Sequence, residues 1–265
     1  MWRLYRKQST RLRLWRGYRM LITHSSHMQS ELLRHGFSPK VVHRIPYAVD
    51  LRILKAQAAQ VTAVNGNAIR NPDEPWRLLF LGRMDFLKGG LALMDALPSV
   101  THRLSRDVRL TFGGDGPDRE TWAQRAAQVT ASCARVGIEF AGWLDESGID
   151  ELLLRSDLLV VPSLWPEPFG RVGPRAGLRS VPVAAFAAGG IPEWLTDGVN
   201  GFLAPADPPA ADGLADAIVR CLEDPAVYNS LRYGALKEAQ RFSMSNHLSQ
   251  LMPLFESACA LPQTL

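Results

Sequence analysis

At 265 residues, with 46% hydrophobic and 21% charged residues, the chain has the composition of a folded protein rather than a disordered or low-complexity one. Its 30 Lys and Arg against 26 Asp and Glu give a net charge of only +4. Cys133, Cys221 and Cys259 are widely spaced with no CxxC, which excludes a disulfide framework and gives no zinc pattern.

The basic excess is concentrated at the start, where Arg3, Arg6, Lys7, Arg11, Arg13, Arg16 and Arg19 precede the first acidic residue, Glu31. With Trp2, Leu4, Leu12, Leu14 and Trp15 this block could rest on an anionic membrane or touch nucleic acid. It lacks a clean apolar stripe, which fits a solvated helix face or one that packs on an absent domain. No base-reading or stacking motif accompanies the charge, so no nucleic-acid partner is expected. No run approaches the ~20 apolar residues of a membrane span, and the start is not a signal peptide. The expected location is cytoplasmic, with peripheral membrane contact left open. His24 and His27 could meet on one helix face, but without nearby carboxylates they do not indicate a metal, and no cofactor is implied.

Further along, Ser30 to His35 reads as helix and Val41 to Ile45 as a short strand. Residues 51–75 read as a linker, small and polar from Ala56 and closing on Asn71, Pro72, Asp73 and Pro75. Residues 1–50 are too few for a second domain of ordinary size and are expected to be a remnant of one. From Trp76 the pattern alternates strand and helix. The expected strands are Leu78–Leu81, Val108–Phe112, Ile138–Phe140, Leu158–Val161 and Val181–Phe186; the helices are Gly89–Leu97, Arg119–Ala131, Ser147–Leu154 and Val172–Leu178. Runs apolar on both faces suit buried parallel strands. Residues 76–245 are therefore expected to form an α/β, doubly wound parallel sheet. Helices follow over Ala211–Leu222, capped by Asp212, then Pro225–Arg241 and Asn246–Ala260, the last of them making residues 246–265 a C-terminal helix.

Loops leaving the carboxyl ends of such strands line the ligand crevice. In Leu81–Gly90, Arg83 and Lys88 flank a strand end beside a glycine pair, as a phosphate clamp would, although cations beside a turn are also commonly solvated. Gly113-Gly114-Asp115-Gly116-Pro117 can line the crevice, form a tight turn, or do both. In Ser163–Gly170 the prolines Pro166 and Pro168 restrict Glu167, whose carboxylate could accept sugar hydroxyls or cap neighbouring backbone; the helix start that follows favours an anion. Glu193, after Gly189-Gly190-Ile191-Pro192, suits either a ligand or a first helical turn.

Taken together and in order, GR…KGG, GGDGP, PSLWPEPFG, VPVAAFAAGGIPE and DGVNGFL closely resemble the C-terminal, nucleotide-sugar-binding domain of the GT-B glycosyltransferases of family 4, the retaining glycosyl transferases group 1. The likeness runs from Ile22 to about Phe242, and includes Ile22-Thr23-His24-Ser25-Ser26 and the interdomain segment Ile45-Pro46-Tyr47-Ala48-Val49-Asp50. It implies a Rossmann-like fold in which Arg83 and Lys88 contact the donor diphosphate, with Gly114 at the donor crevice. It implies that Glu167 binds the transferred sugar as the catalytic-site carboxylate, and that the backbone of Phe169, Gly170, Arg171 and Val172 holds a phosphate.

Where the family places a second glutamate on the nucleotide ribose, this chain has Arg175. A guanidinium only donates hydrogen bonds, so Arg175 could reach a phosphate or pair with Glu167, and Arg175→Glu would restore donor binding if the arginine is the lesion. The resemblance further implies transfer from a nucleotide sugar to a saccharide or lipid acceptor, with an N-terminal domain that is truncated here and needed as a missing or separate half. The alternative is a non-catalytic, glycosyltransferase-like partner subunit.

Overall fold

The computed structural model describes residues 10–50 and 74–260; the first part of the basic block and nearly all of the expected linker lie outside the described residues. Residues 10–15 are helical. There follow β1 (Leu21–Thr23), α1 (Ser26–Arg34) and β2 (Val42–Arg44), with Leu21 opposite Val42 in a parallel pair. The second part runs β3 (Trp76–Leu81), α2 (Gly90–Leu104), β4 (Val108–Gly113), α3 (Arg119–Ser132), β5 (Val136–Gly142), α4 (Glu146–Arg155) and β6 (Leu158–Val161). It continues through α5 (Val172–Gly177), β7 (Val183–Phe186), β8 (Gly201–Ala204), α6 (Ala211–Leu222), α7 (Pro225–Gln240) and α8 (Met244–Ala260). No helix among the described residues is long and apolar enough to cross a membrane.

The six strands form one parallel sheet in the order β5-β4-β3-β6-β7-β8. The chain winds outward from β3 to β5 and then returns to place β6 on the other side of β3. The switch point therefore lies between β3 and β6, where a crevice opens at the strand ends. Strands β6 and β7 are buried at every position, because helices cover both faces. Near β4, Phe80, Phe112, Trp122 and Phe140 pack with neighbouring ring centroids 5.1–5.3 Å apart, locking α3 to the sheet.

The expected α/β order holds, with shifted ends. Helix α2 passes through Pro98 to Leu104, further than the expected Leu97. Strand β7 starts at Val183, not Val181, since the chain is still leaving a turn at Ser180. The cap of α6 is the backbone of Ala210, and Asp212 sits inside its first turn. Strand β8 was not among the expected strands.

The small β1–β2 layer is fastened over the crevice by specific contacts. Glu193 accepts from the Ser26 backbone N–H and pairs with Arg44 Nη1 at 2.9 Å, its own side chain only 8% exposed. Val49 N–H donates to Phe242 O at 2.7 Å, and a ring nitrogen of His247 meets Pro46 O at 2.8 Å. Tyr47 stacks on His24 at 3.6 Å and meets Phe169 edge-on at 5.8 Å. Glu193 is thereby a strut between layers, with both carboxylate oxygens engaged. Glu193→Ala leaves the Ser26 N–H and Arg44 without this partner, and is expected to cost about 1–2 kcal/mol and lower Tm by about 2–6 °C in thermal unfolding.

Candidate functional site

The loops after β3 and β6 meet at the switch point. Leu87 O accepts from the backbone N–H of Leu164 (2.8 Å) and Trp165 (3.2 Å), joining the two loops. Lys88 closes the 3-10 turn Phe86–Lys88 and reaches across, its Nζ 2.5 Å from Glu167 Oε1. Ser163 Oγ donates to the same oxygen at 2.6 Å. The Glu167 side chain is 11% exposed and that of Lys88 30%, so this charged pair lies at the crevice floor with one open side. Between Pro166 and Pro168, the Glu167 backbone is held by the Gly189–Gly190 turn, whose Gly190 N–H donates to Glu167 O at 2.6 Å. A carboxylate fixed by two prolines, a backbone bridge and two donors is preorganised for recognition.

The close approach of the loops depends on Gly89. Its φ is +72°, and a Cβ there would lie 1.8 Å from Pro162 O. Gly89→Ala is expected to cost about 2–4 kcal/mol, read by urea unfolding, because left-handed strain adds to a backbone collision that no side-chain adjustment relieves.

A cleft of about 350 Å³ opens over the ends of β3 and β4, lined by Leu81, Trp143, Leu144, Ile149 and Val172, with Arg83, Asp115 and Arg175 as its charged groups. Gly114 forms part of its floor at φ +127°, where a Cβ would strike Gly82 O at 2.0 Å. Arg83 is open to solvent, with Asp85 3.6 Å away. Arg171 is exposed and immediately precedes α5, a six-residue helix without a side-chain cap. Gly170, at the same turn, packs against Trp194. Phe169 is 1% exposed and meets Phe242 at 5.4 Å; its side chain belongs to the core, and its carbonyl accepts from Trp194 Nε1 at 2.5 Å.

Arg175 does not pair with Glu167. Its Nε and Nη2 donate to Asp150 Oδ1 at 3.0 and 2.5 Å, Nη2 also reaches Glu146 O at 2.8 Å, and Nη1 pairs with Glu146 Oε2 at 2.7 Å. Arg179, fully buried, also contacts Asp150 and donates to Arg175 O at 2.9 Å. Burial pulls its guanidinium below the usual arginine range, opposed by Asp150. The network clamps α4 to α5. At the α4 start, the Gly148 N–H and the Ser147 hydroxyl hold Asp145 below its usual carboxylate range as the helix cap.

Lys88, Ser163 and Glu167 thus converge, while Arg83, Gly114, Val172 and Arg175 border the cleft. Ser163, Trp143, Glu146, Asp150 and Arg179 were not foreseen. Only Ser163, four residues before Glu167 in the same loop, offered a local signal. His24 and His27 join no metal cluster; among the described residues no group of three or more His, Cys, Asp or Glu could hold an ion.

The family model described as "Glycosyl transferases group 1" matches residues 75–224, from the start of β3 through the end of α6. The chain belongs to this family. A D-inositol 3-phosphate glycosyltransferase of Catenulispora acidiphila is 31% identical over 241 residues, covering 84% of this chain and 53% of that protein. An alpha-maltose-1-phosphate synthase of Mycobacterium tuberculosis is 28% identical over 254 residues, covering 91% of this chain and 63% of that protein. Among solved structures, Anabaena HepE in complex with UDP-glucose aligns with a TM-score of 0.73 at 25% identity, over 94% of this chain and 68% of its own. This member of the family therefore spans 53% and 63% of the lengths of those two curated relatives.

Proposed function

We propose that this chain is the donor-binding half of a glycosyltransferase that moves a sugar from a nucleotide sugar to a saccharide or lipid acceptor. The Lys88–Glu167–Ser163 constellation at the switch point carries the reading. A donor diphosphate arriving there meets Lys88 and Arg83, and its sugar hydroxyls meet Glu167. The nucleoside takes the apolar cleft. A cation beside the departing diphosphate stabilises charge that grows in the transition state. HepE, solved in complex with UDP-glucose, and the D-inositol 3-phosphate glycosyltransferase relative are consistent with this chemistry.

A second polypeptide or domain completes the acceptor side. Two features point to where it sits. The β1–β2 pair is a parallel sheet of two strands, a form that is ordinarily covered on both faces. On α8, Met244, Leu248, Met252 and Phe255 recur at helical spacing and are 54, 43, 47 and 47% exposed. An N-terminal α/β domain completing a GT-B fold would extend the sheet and cover the stripe. The competing reading, a non-catalytic partner subunit, draws on Arg175 standing where the family's ribose glutamate does.

A transfer assay separates them, run with the chain alone and with a relative's N-terminal domain supplied as a separate polypeptide. Turnover only with both present supports the half-enzyme. Turnover by the chain alone contradicts it, and donor binding without turnover in either case favours the non-catalytic subunit.

A further inference from the structure

The donor cleft has to deal with a chemical requirement that Arg175 does not meet. A nucleoside diphosphate brings a ribose with two adjacent hydroxyls, whose protons need an acceptor, and a guanidinium has none to offer. Among the cleft's charged side chains, Asp115 is the one acceptor, and its Oδ1 already takes the Gly116 N–H at 2.7 Å within its own turn.

Arg175, itself a cleft-lining residue, instead holds a carboxylate from outside that lining. Its Nη1 holds Glu146 Oε2 at 2.7 Å while its Nη2 holds the Glu146 main-chain oxygen at 2.8 Å. The Glu146 side chain is 85% exposed, against 23% for Asp150, which is enclosed by Arg175 and Arg179. Glu146 is also the first residue of α4, two positions after Leu144 of the cleft wall, and the Asp145 cap fixes that turn through Gly148 N–H at 2.8 Å. One residue is thus held by side chain and backbone together, against the side chain of a cleft-lining arginine, with acceptor capacity to spare.

We propose that Glu146 is the carboxylate that accepts the donor ribose hydroxyls, and that Arg175 is the positioning residue that holds it there. The assignment rests on the donor-binding reading above. Arg175 then marks a relocated contact: α4 supplies the acceptor, and α5 supplies the arginine that aims it.

The test uses the whole chain and compares, by calorimetry, whichever of UDP, GDP and ADP binds tightest with its 2′,3′-dideoxy counterpart. The wild type is expected to prefer the ribonucleotide by about 10-fold or more, the scale of a hydrogen bond to a charged group. Glu146→Ala is expected to bring the two to within about 2-fold by weakening the ribonucleotide alone. Arg175→Ala is expected to erase the same preference, and adding Glu146→Ala to it changes the ratio no further, as for residues acting as one unit. Glu151→Ala, five residues further along the same helix and paired with Arg155, leaves the preference intact. The assignment is overturned if Glu146→Ala keeps the full preference, or if Asp115→Ala removes it instead. A wild type that binds none of the three nucleotides overturns the donor reading and this assignment together; normal binding with an unmoved ratio in Glu146→Ala overturns only the assignment.

Discussion

Glu167→Gln is expected to weaken nucleotide-sugar binding by about 10- to 100-fold while leaving the bare nucleoside diphosphate within about 3-fold of the wild type, or tighter. Glu167 Oε1 accepts from Lys88 at 2.5 Å and Ser163 at 2.6 Å, and the side chain is nearly buried, so the carboxylate has one orientation. Glutamine keeps the shape but loses the charge and half of the acceptor capacity that sugar hydroxyls would use. Lys88, 30% exposed, rehydrates and is freed toward phosphate, which is why the nucleotide alone is spared. The cost to the fold is then modest, about 1 kcal/mol, as for a partly solvated pair. Parallel titrations with a sugar nucleotide and its nucleoside diphosphate read the effect. Equal losses for both ligands would mean that Glu167 shapes the loop and does not touch the sugar.

Arg175→Glu is expected to lower Tm by about 5–15 °C and to bring no gain in donor binding. From the sequence alone, this substitution looks like a repair. In the structure it removes the cation that Asp150 and Glu146 share and sets a third carboxylate beside them. Arg179, fully buried, is then the cation left at the cluster. Breaking a wholly buried pair costs about 3–5 kcal/mol, and the exposure of Glu146 brings the expected loss to about 2–4 kcal/mol. Glu146→Gln and Asp150→Asn in the same chain should recover part of it by removing the repulsion. Thermal unfolding of the single and triple variants checks this order. An Arg175→Glu protein with wild-type Tm and tighter donor binding would show that the arginine was a simple lesion.

The contrast between Glu167 and Arg175 shows what a linear chain reveals. The fixed placement of the Glu167 carboxylate was legible because its constraint is local: two flanking prolines, a strand before it and a helix start after it. The buried strands were legible for a similar reason, since β6 and β7 are apolar on both faces. Strand β8 escaped notice because Gly201-Phe202-Leu203-Ala204 is short and begins in a turn, its pairing set by β7 and not by its own pattern. The partners of Arg175 lie 25 and 29 residues earlier, on α4, and depend on which faces of two helices meet. Glu193 read equally as ligand contact or helix residue until Ser26 and Arg44, far upstream, proved to occupy it. Local stiffness and hydrophobic period can be read along the chain; long-range ion pairing requires the packing.

The most direct measurement is calorimetry of the whole chain against UDP-, GDP- and ADP-sugars, repeated with Lys88→Ala. Saturable 1:1 binding of one of these donors, weakened about 10-fold or more in Lys88→Ala, is the predicted result. No binding of any of the three by a correctly folded chain, or binding that Lys88→Ala leaves unchanged, would contradict a donor site at the β3–β6 switch point.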